Sequence, residues 1–407
     1  MKQFHNYLVP NEWEVKKIGQ ITKTVAGGTP DTSVDEYWGG DIPWMSSGEL
    51  NQRRVDTVRG RITAKGLKNS STSLIPAGCV LIGLAGQGKT RGTVAVNTIE
   101  LCTNQSIAAI FPAKGFVTDY LFYNLDFRYE ELRRLSTGDG GRGGLNLSII
   151  NGLSVSFPSV KEQMAIAHVL GLVDRAIDLN NKITAQKELR KKWLMQTLLT
   201  GRKRLKGYGK EEWKLEVVKR IVIPVRKPLI PNENEHYQQI GIRSHTKGIF
   251  YKEKVLGSVL GDKSVFWVEP NCFILNIVFA WEHAIAKTTD AETGMIASHR
   301  FPMFKPKVDV LDLDYFLYYF ASSRGKYLLG LASPGGAGRN KTLGKSEFLE
   351  LRIPVPPLNE QAAIVKALQA ADREIQFQRT KSRELRELKK GMMQQLLTGK
   401  KRLNLEQ

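Results

Sequence analysis

The sequence predicts an α+β fold: two mixed α/β domains joined by two long helices that form an antiparallel coiled coil, arranged as a pseudo-twofold internal repeat. Three observations predict it. Residues 162–205 (EQMAIAHVLGLVDRAIDLNNKITAQKELRKKWLMQTLLTGRKRL) read as one long helix ending in a Thr-Gly and a basic tail, and residues 360–403 (EQAAIVKALQAADREIQFQRTKSRELRELKKGMMQQLLTGKKRL) repeat it without a gap at an offset of 198. Before each copy runs a series of short β-branched or apolar segments punctuated by Gly, Pro and Ser, the pattern of strands and loops. Both helices also carry the same graded seam, apolar at its ends and polar in its middle.

The expected division is a first domain over residues 1–157, a spacer helix over 158–205, a second domain over 206–355 and a second spacer helix over 356–407. After a short amphipathic opening at residues 13–21, the first domain offers candidate strands at 42–45, 79–84, 93–96 and 107–111, then a helix at 119–135. The second repeats the plan, with candidate strands at 239–242, 272–279 and 284–286 and a helix at 314–322. A glycine-rich loop carrying arginine follows each helix, at residues 136–146 and 332–342. Roughly a third of positions match between residues 140–205 and their counterparts, whereas the preceding stretch keeps its plan and few of its residues. Two similar frames therefore hold two different faces.

Stepping alternately four and three along the first helix marks Ile166, Leu170, Val173, Ile177, Leu194 and Leu198 as apolar seam positions. The second helix supplies Ile364, Leu368, Ala371, Ile375, Leu385, Met392 and Leu396. A single helix owes most of its stability to a packed face, and the simplest partner is the other copy. About 40 residues at 1.5 Å each make a rod of roughly 60 Å, a ruler of at most about 17 base pairs of duplex. Alternatively, each helix packs on its own domain.

Composition narrows the partner. The 60 Lys and Arg outnumber the 40 Asp and Glu by +20, and the pI is near 9.7, which favours a polyanion, nucleic acid before membrane. Cys79, Cys102 and Cys272 are odd in number and far apart, which speaks against a disulfide framework or a zinc pair. With no signal peptide and no apolar run long enough for a membrane span, a cytoplasmic protein is expected.

The most tempting chemical motif is GLAGQGKT at residues 83–90, which fits the phosphate-loop pattern. A true phosphate loop enters a helix, and the RGTVAVNTI that follows reads as a strand. The better reading is a glycine-bent hairpin tip presenting Lys89, Thr90 and Arg91 to DNA, the alternative being a solvated basic turn. In the second domain, Arg243, Ser244, His245 and Lys247 of IRSHTKG and His299 and Arg300 of SHRFPMF form the corresponding candidates. Arg142 and Arg339 in the glycine-rich loops could wrap phosphates or simply lie in joints. The basic tails after each helix are accounted for by the helix dipole.

Taken together, the EQ-started helices, the LLTGRKRL and LLTGKKRL endings and the PSVKEQMAI and PPLNEQAAI junctions resemble the DNA-specificity subunit of type I restriction-modification systems over nearly the full length. That resemblance implies two target-recognition domains, each reading one half of a bipartite site in double-stranded DNA. It implies paired helices that set the gap and dock two methyltransferase subunits and, through them, restriction subunits. It implies no catalytic residues, cofactor or metal in this chain, with S-adenosylmethionine, ATP and magnesium belonging to the partners. Family members differ in their base-reading residues, so none can be carried over. Gly391, where the first copy has Trp193, would make the two docking faces unequal. The alternatives are a nucleotide-dependent enzyme using residues 83–90 and a nucleic-acid scaffold without sequence preference.

Overall fold

The computed structural model describes residues 1–5, 7–86, 90–136, 144–209, 211–261, 264–335 and 341–404. The chain divides into two compact units: Met1–Asn181 with Thr380–Gln407, and Lys182–Arg379. Each unit contains one sheet-rich domain, half of one long helix and half of the other.

In the first unit, the central sheet has five strands in the order Thr24–Ala26, Ile107–Ile110, Val80–Gly83, Val94–Asn97, Arg54–Val55. Its middle strands are buried on both faces, which is why they read as unbroken apolar runs. Strand alternation divides them between two cores. Val80, Ile82, Val94 and Val96 face the helix Thr118–Phe127 and the long-helix residues Ile166 and Leu170, while Leu81, Ala95 and Ala109 face a smaller core with Met45 and Leu50.

The second unit reuses the frame. Its four-stranded sheet runs Val222–Val225, Met303–Pro306, Phe273–Leu275, Ile285–Lys287, in antiparallel order like the first four strands above. Phe273 and Leu275 face the helix Leu313–Ala321, and Ile274 faces the opposite core. A separate five-stranded sheet contains the long hairpin His236–Ile242 and Ile249–Leu256.

The long helices span Val160–Leu198 and Leu358–Leu396, 39 residues each. They stop short of the basic tails for a local reason. Gly201 and Gly399 adopt left-handed backbone (φ 70° and 66°), Lys203 N–H bonds Thr197 O and Lys401 N–H bonds Gln395 O, so each Thr-Gly closes its helix with a glycine cap. Within each unit the two helix segments run antiparallel. In the first, Asp174 pairs with Lys389 at 2.7 Å and Asn181 accepts from Ser382 at 3.1 Å; in the second, Lys191 pairs with Asp372 and Lys187 with Glu374 at 2.7 Å.

All thirteen apolar seam positions are at least half-buried: Ile166, Leu170, Leu198, Ile364, Leu368, Ile375 and Leu396 are buried, and Val173, Ile177, Leu194, Ala371, Leu385 and Met392 are partly so. Part of that burial is against the domains, since Ile166 and Leu170 belong to the first domain's core and Ile364 and Leu368 to the second's. Pairing and packing on the domain thus occur together.

Three expectations change. The segment expected as one helix at 119–135 is two, Thr118–Phe127 and Tyr129–Arg134, broken where Arg128 turns inward to donate to Ser154 O and both oxygens of Glu131. The opening at 13–21 is a strand, Glu14–Lys17, paired with Ser154–Phe157, plus one helical turn. The basic tails are not explained by the helix dipole. Arg204 makes a two-point contact with Glu360 (2.5 and 2.6 Å), and Arg402 embraces Glu162; both glutamates are buried at the start of the other long helix.

Candidate nucleic-acid interface

The two domains gather the same three segments at one end of the sheet. In the first, Leu84 N–H donates to Ser106 O and Leu84 O accepts from Leu145 N–H, both at 2.8 Å. In the second, Ile277 N–H donates to Arg300 O at 3.0 Å and Ile277 O accepts from Leu343 N–H at 2.8 Å. Cys79 and Cys272 immediately precede the equivalent strands, and each donates its N–H to a side chain at or just past the end of the neighbouring strand, Asn97 or Thr288, at 2.9 Å. The loop after Gly83 and the loop after Leu275 are therefore counterparts. In each domain, the turn before a central strand and the end of the glycine-rich loop meet that loop.

In the first domain this loop is a hairpin return. Gly83 N–H bonds Thr93 O, Gly92 N–H bonds Gly83 O, and the chain continues into the strand Val94–Asn97 antiparallel to Val80–Gly83. Among the described residues no helix follows the loop and the chain enters a strand instead, so the phosphate-loop reading is set aside: a phosphate loop leads into a helix whose first amides face the anion. Gly83 is required, because a Cβ on it would lie 2.2 Å from Thr90 O. Thr90 and Arg91 are half-buried at the return; Lys89 lies outside the described residues, as do Arg142 and Arg339.

In the second domain, the turn at residues 243–248 carries Arg243, His245 and Lys247, all exposed. Arg243 lies over the Phe250 ring (4.9 Å) and donates from one terminal nitrogen to Ile249 O at 3.2 Å, contacts that restrain its planar fork. Ser244 is not simply displayed: its hydroxyl donates to Glu282 Oε2 at 3.1 Å. His245 and Thr246 have φ of 62° and 54°, an uncommon conformation for residues with a Cβ that costs about 1–2 kcal/mol each. Their N–H groups donate to Glu282 O (2.8 Å) and His283 O (2.9 Å), which hold the turn in that shape. His299 and Arg300 are exposed on the turn that bonds Ile277, and Lys341 sits 5.9 Å from the Trp281 ring. Thus His245, Arg300 and Lys341 each make contact with residues 276–284, and Arg243 and Lys247 belong to the same turn as His245.

Residues 276–284 were missed from sequence. The apolar run 272–279 reads as a strand, but the strand ends at Leu275 and Ile277, Val278 and Phe279 lead into the short helical turn Ala280–Glu282. Phe279 remains 39% exposed. His283 is partly buried beneath the basic turn; burial, with Lys326 and His245 nearby, pushes its pKa down to about 4, so it is neutral near pH 7. Among the described residues no cluster of His, Cys, Asp or Glu could hold a metal ion, and no helix is long and apolar enough to cross a membrane.

The chain's relatives share this organisation. The family model described as the type I restriction modification DNA specificity domain matches the chain twice, at residues 10–189 and 212–387. The chain belongs to this family. Each match takes in one domain and most of one long helix of this specificity-family chain. It is 35% identical over 179 residues to the MjaIX specificity subunit of Methanocaldococcus jannaschii, covering 43% of this chain and 40% of that one. It is 24% identical to the MjaVIII specificity subunit of the same organism over 430 aligned positions, covering 99% and 96%. Among solved structures, a chain from work on complex assembly and conformational transition of a type I restriction-modification system superposes with a TM-score of 0.63 at 14% identity, covering 97% and 99%. The S subunit from M. genitalium gives 0.56 at 12%, covering 97% and 98%. At such identities the likeness to the solved structures is one of fold.

Proposed function

We propose that this chain is the noncatalytic DNA-specificity subunit of a type I restriction-modification complex, each domain reading one half of a bipartite site. The observation that carries this reading is the doubled match to the specificity-domain family, with each copy presenting loops at the equivalent end of its sheet. The net charge of +20 and the exposed arginines and lysines of the second domain supply the attraction for phosphates and the donors for base edges. The two domains differ in the contents of those loops, which is what reading two different half-sites demands.

The long helices act as spacer and as docking face for two methyltransferase subunits, through which restriction subunits join. Chemistry resides in those partners with their S-adenosylmethionine, ATP and magnesium, and the complex works in the cytoplasm. Genome-wide methylation mapping by long-read sequencing tests the reading. A host carrying this chain with its methyltransferase is expected to methylate a split sequence, and exchanging residues 1–150 for those of another family member is expected to change one half of it. A site left unchanged, or altered in both halves, would sink the modular assignment.

A further inference from the structure

The turn at 243–248 presents three exposed basic or titratable side chains on a backbone that two consecutive residues with Cβ atoms adopt only under constraint. A constraint of that kind at an exposed tip marks a site whose geometry matters. The hairpin closes the turn through Arg243 N–H to Gly248 O at 3.0 Å, and a second element holds it from outside the hairpin. That element is the loop 276–284, which accepts the N–H groups of His245 and Thr246 through its carbonyls and the Ser244 hydroxyl through the Glu282 carboxylate. The same loop bonds the backbone of Arg300 and Leu343, so three segments distant in sequence take their positions from it. Base discrimination by a bidentate side chain depends on holding the donor fork in register with the base edge, and a chain free to shift would still meet phosphates without telling bases apart.

We propose that Glu282 is a positioning residue for half-site recognition: through Ser244 it holds the turn that presents Arg243, His245 and Lys247 to DNA, on a platform formed by residues 276–284. The inference rests on the reading of the chain as a specificity subunit. Glu282 itself, an acid within a basic surface, holds the reader without contacting the DNA.

The test uses the intact methyltransferase complex and maps methylated motifs for the wild-type chain, E282A, E282Q, S244A and the E282A/S244A double variant. E282A is expected to lower discrimination at one or more base positions of one half-site by roughly tenfold, with the other half-site and the gap retained. S244A reproduces that loss, and the double variant is no worse than either single one, as for two residues acting through one contact. E282Q, whose amide oxygen still accepts from Ser244, keeps the wild-type motif. An unchanged motif in S244A and E282A overturns the proposal, as does loosening of both half-sites or a doubled loss in the double variant. If E282A does not assemble, S244A alone decides by the same criteria. A wild-type complex that methylates no bipartite site instead removes the underlying reading, an outcome distinct from any of these.

Discussion

Lys389 and Lys191 occupy equivalent positions of the repeat, yet their surroundings differ. Lys389 is 11% exposed and sits among Asp174, Asp126 and Arg53, whereas Lys191 is 25% exposed and pairs with Asp372. Burial is the main cause holding the Lys389 pKa below the ordinary lysine value, with Arg53 adding to it and Asp174 and Asp126 opposing. Removing a partner from a buried pair costs more than removing one near water. Lys389→Ala is therefore expected to destabilise its unit by about 2–3 kcal/mol and Lys191→Ala by about 1 kcal/mol, read from urea unfolding of the full chain. His283 gives a pH signature. Its folded pKa of about 4 lies below the ordinary 6.5, so the unfolded state takes up the proton first as pH falls. The His283 contribution to the second unit's stability is expected to be fully present above pH 6.5 and to be lost as pH falls to about 4, and His283→Gln should flatten that dependence in unfolding midpoints measured across the range. The repeat contains Glu162 with Glu360 and Arg204 with Arg402 as identical pairs, and nothing local said that the glutamates and arginines meet. Each glutamate's partner is more than 150 residues away, and solvated tails and buried ion pairs share one local composition.

Among the elements, the long helices were the most legible. A four-three seam, apolar at both ends and polar in its middle, and a Thr-Gly ending are local signals, and they mark the helix and its stop. Leu170 and its counterpart Leu368 are fully buried where helix meets domain, so Leu→Ala at either is expected to cost about 2–5 kcal/mol, with the loss in the unit that holds it, as hydrogen exchange resolved by segment would report. The loop 276–284 was the least legible element. Its counterpart, GLAGQGKTRG, is rich in glycine and basic residues and reads as a hairpin tip, while the NIVF that opens NIVFAWEHA is apolar and reads as the end of a strand over 272–279. Burial of Ala280 and the bonds to Arg300 and Leu343 are what bend it, and none of these is a local property. Trp193 and Gly391 remain the clearest break in helix symmetry. Trp193 is 46% exposed with Lys203 over its ring at 5.0 Å, and a Cβ on Gly391 would meet nothing within 4 Å.

For the whole molecule, chain continuity separates the two units. Lys182–Arg379 is one unbroken stretch, while the first unit draws Met393, Leu396 and Leu397 into its core from the far end of the sequence. Ending the chain at residue 379 is expected to leave the second unit's unfolding transition in place and to weaken or abolish the first unit's; adding residues 380–407 as a peptide should restore part of it. Two transitions that both survive truncation unaltered would contradict the shared core. The sequence by itself determined the repeat, the helices with their Thr-Gly endings, the two sheet-rich domains and the basic character, because periodicity, glycine and charge are carried by neighbouring residues. Only the tertiary structure decided which glutamates bury against which arginines, which loop organises each domain's exposed end and which terminal segment completes the first core. Those outcomes depend on contacts between residues far apart in the chain, where burial and hydrogen bonding override what each segment would do alone.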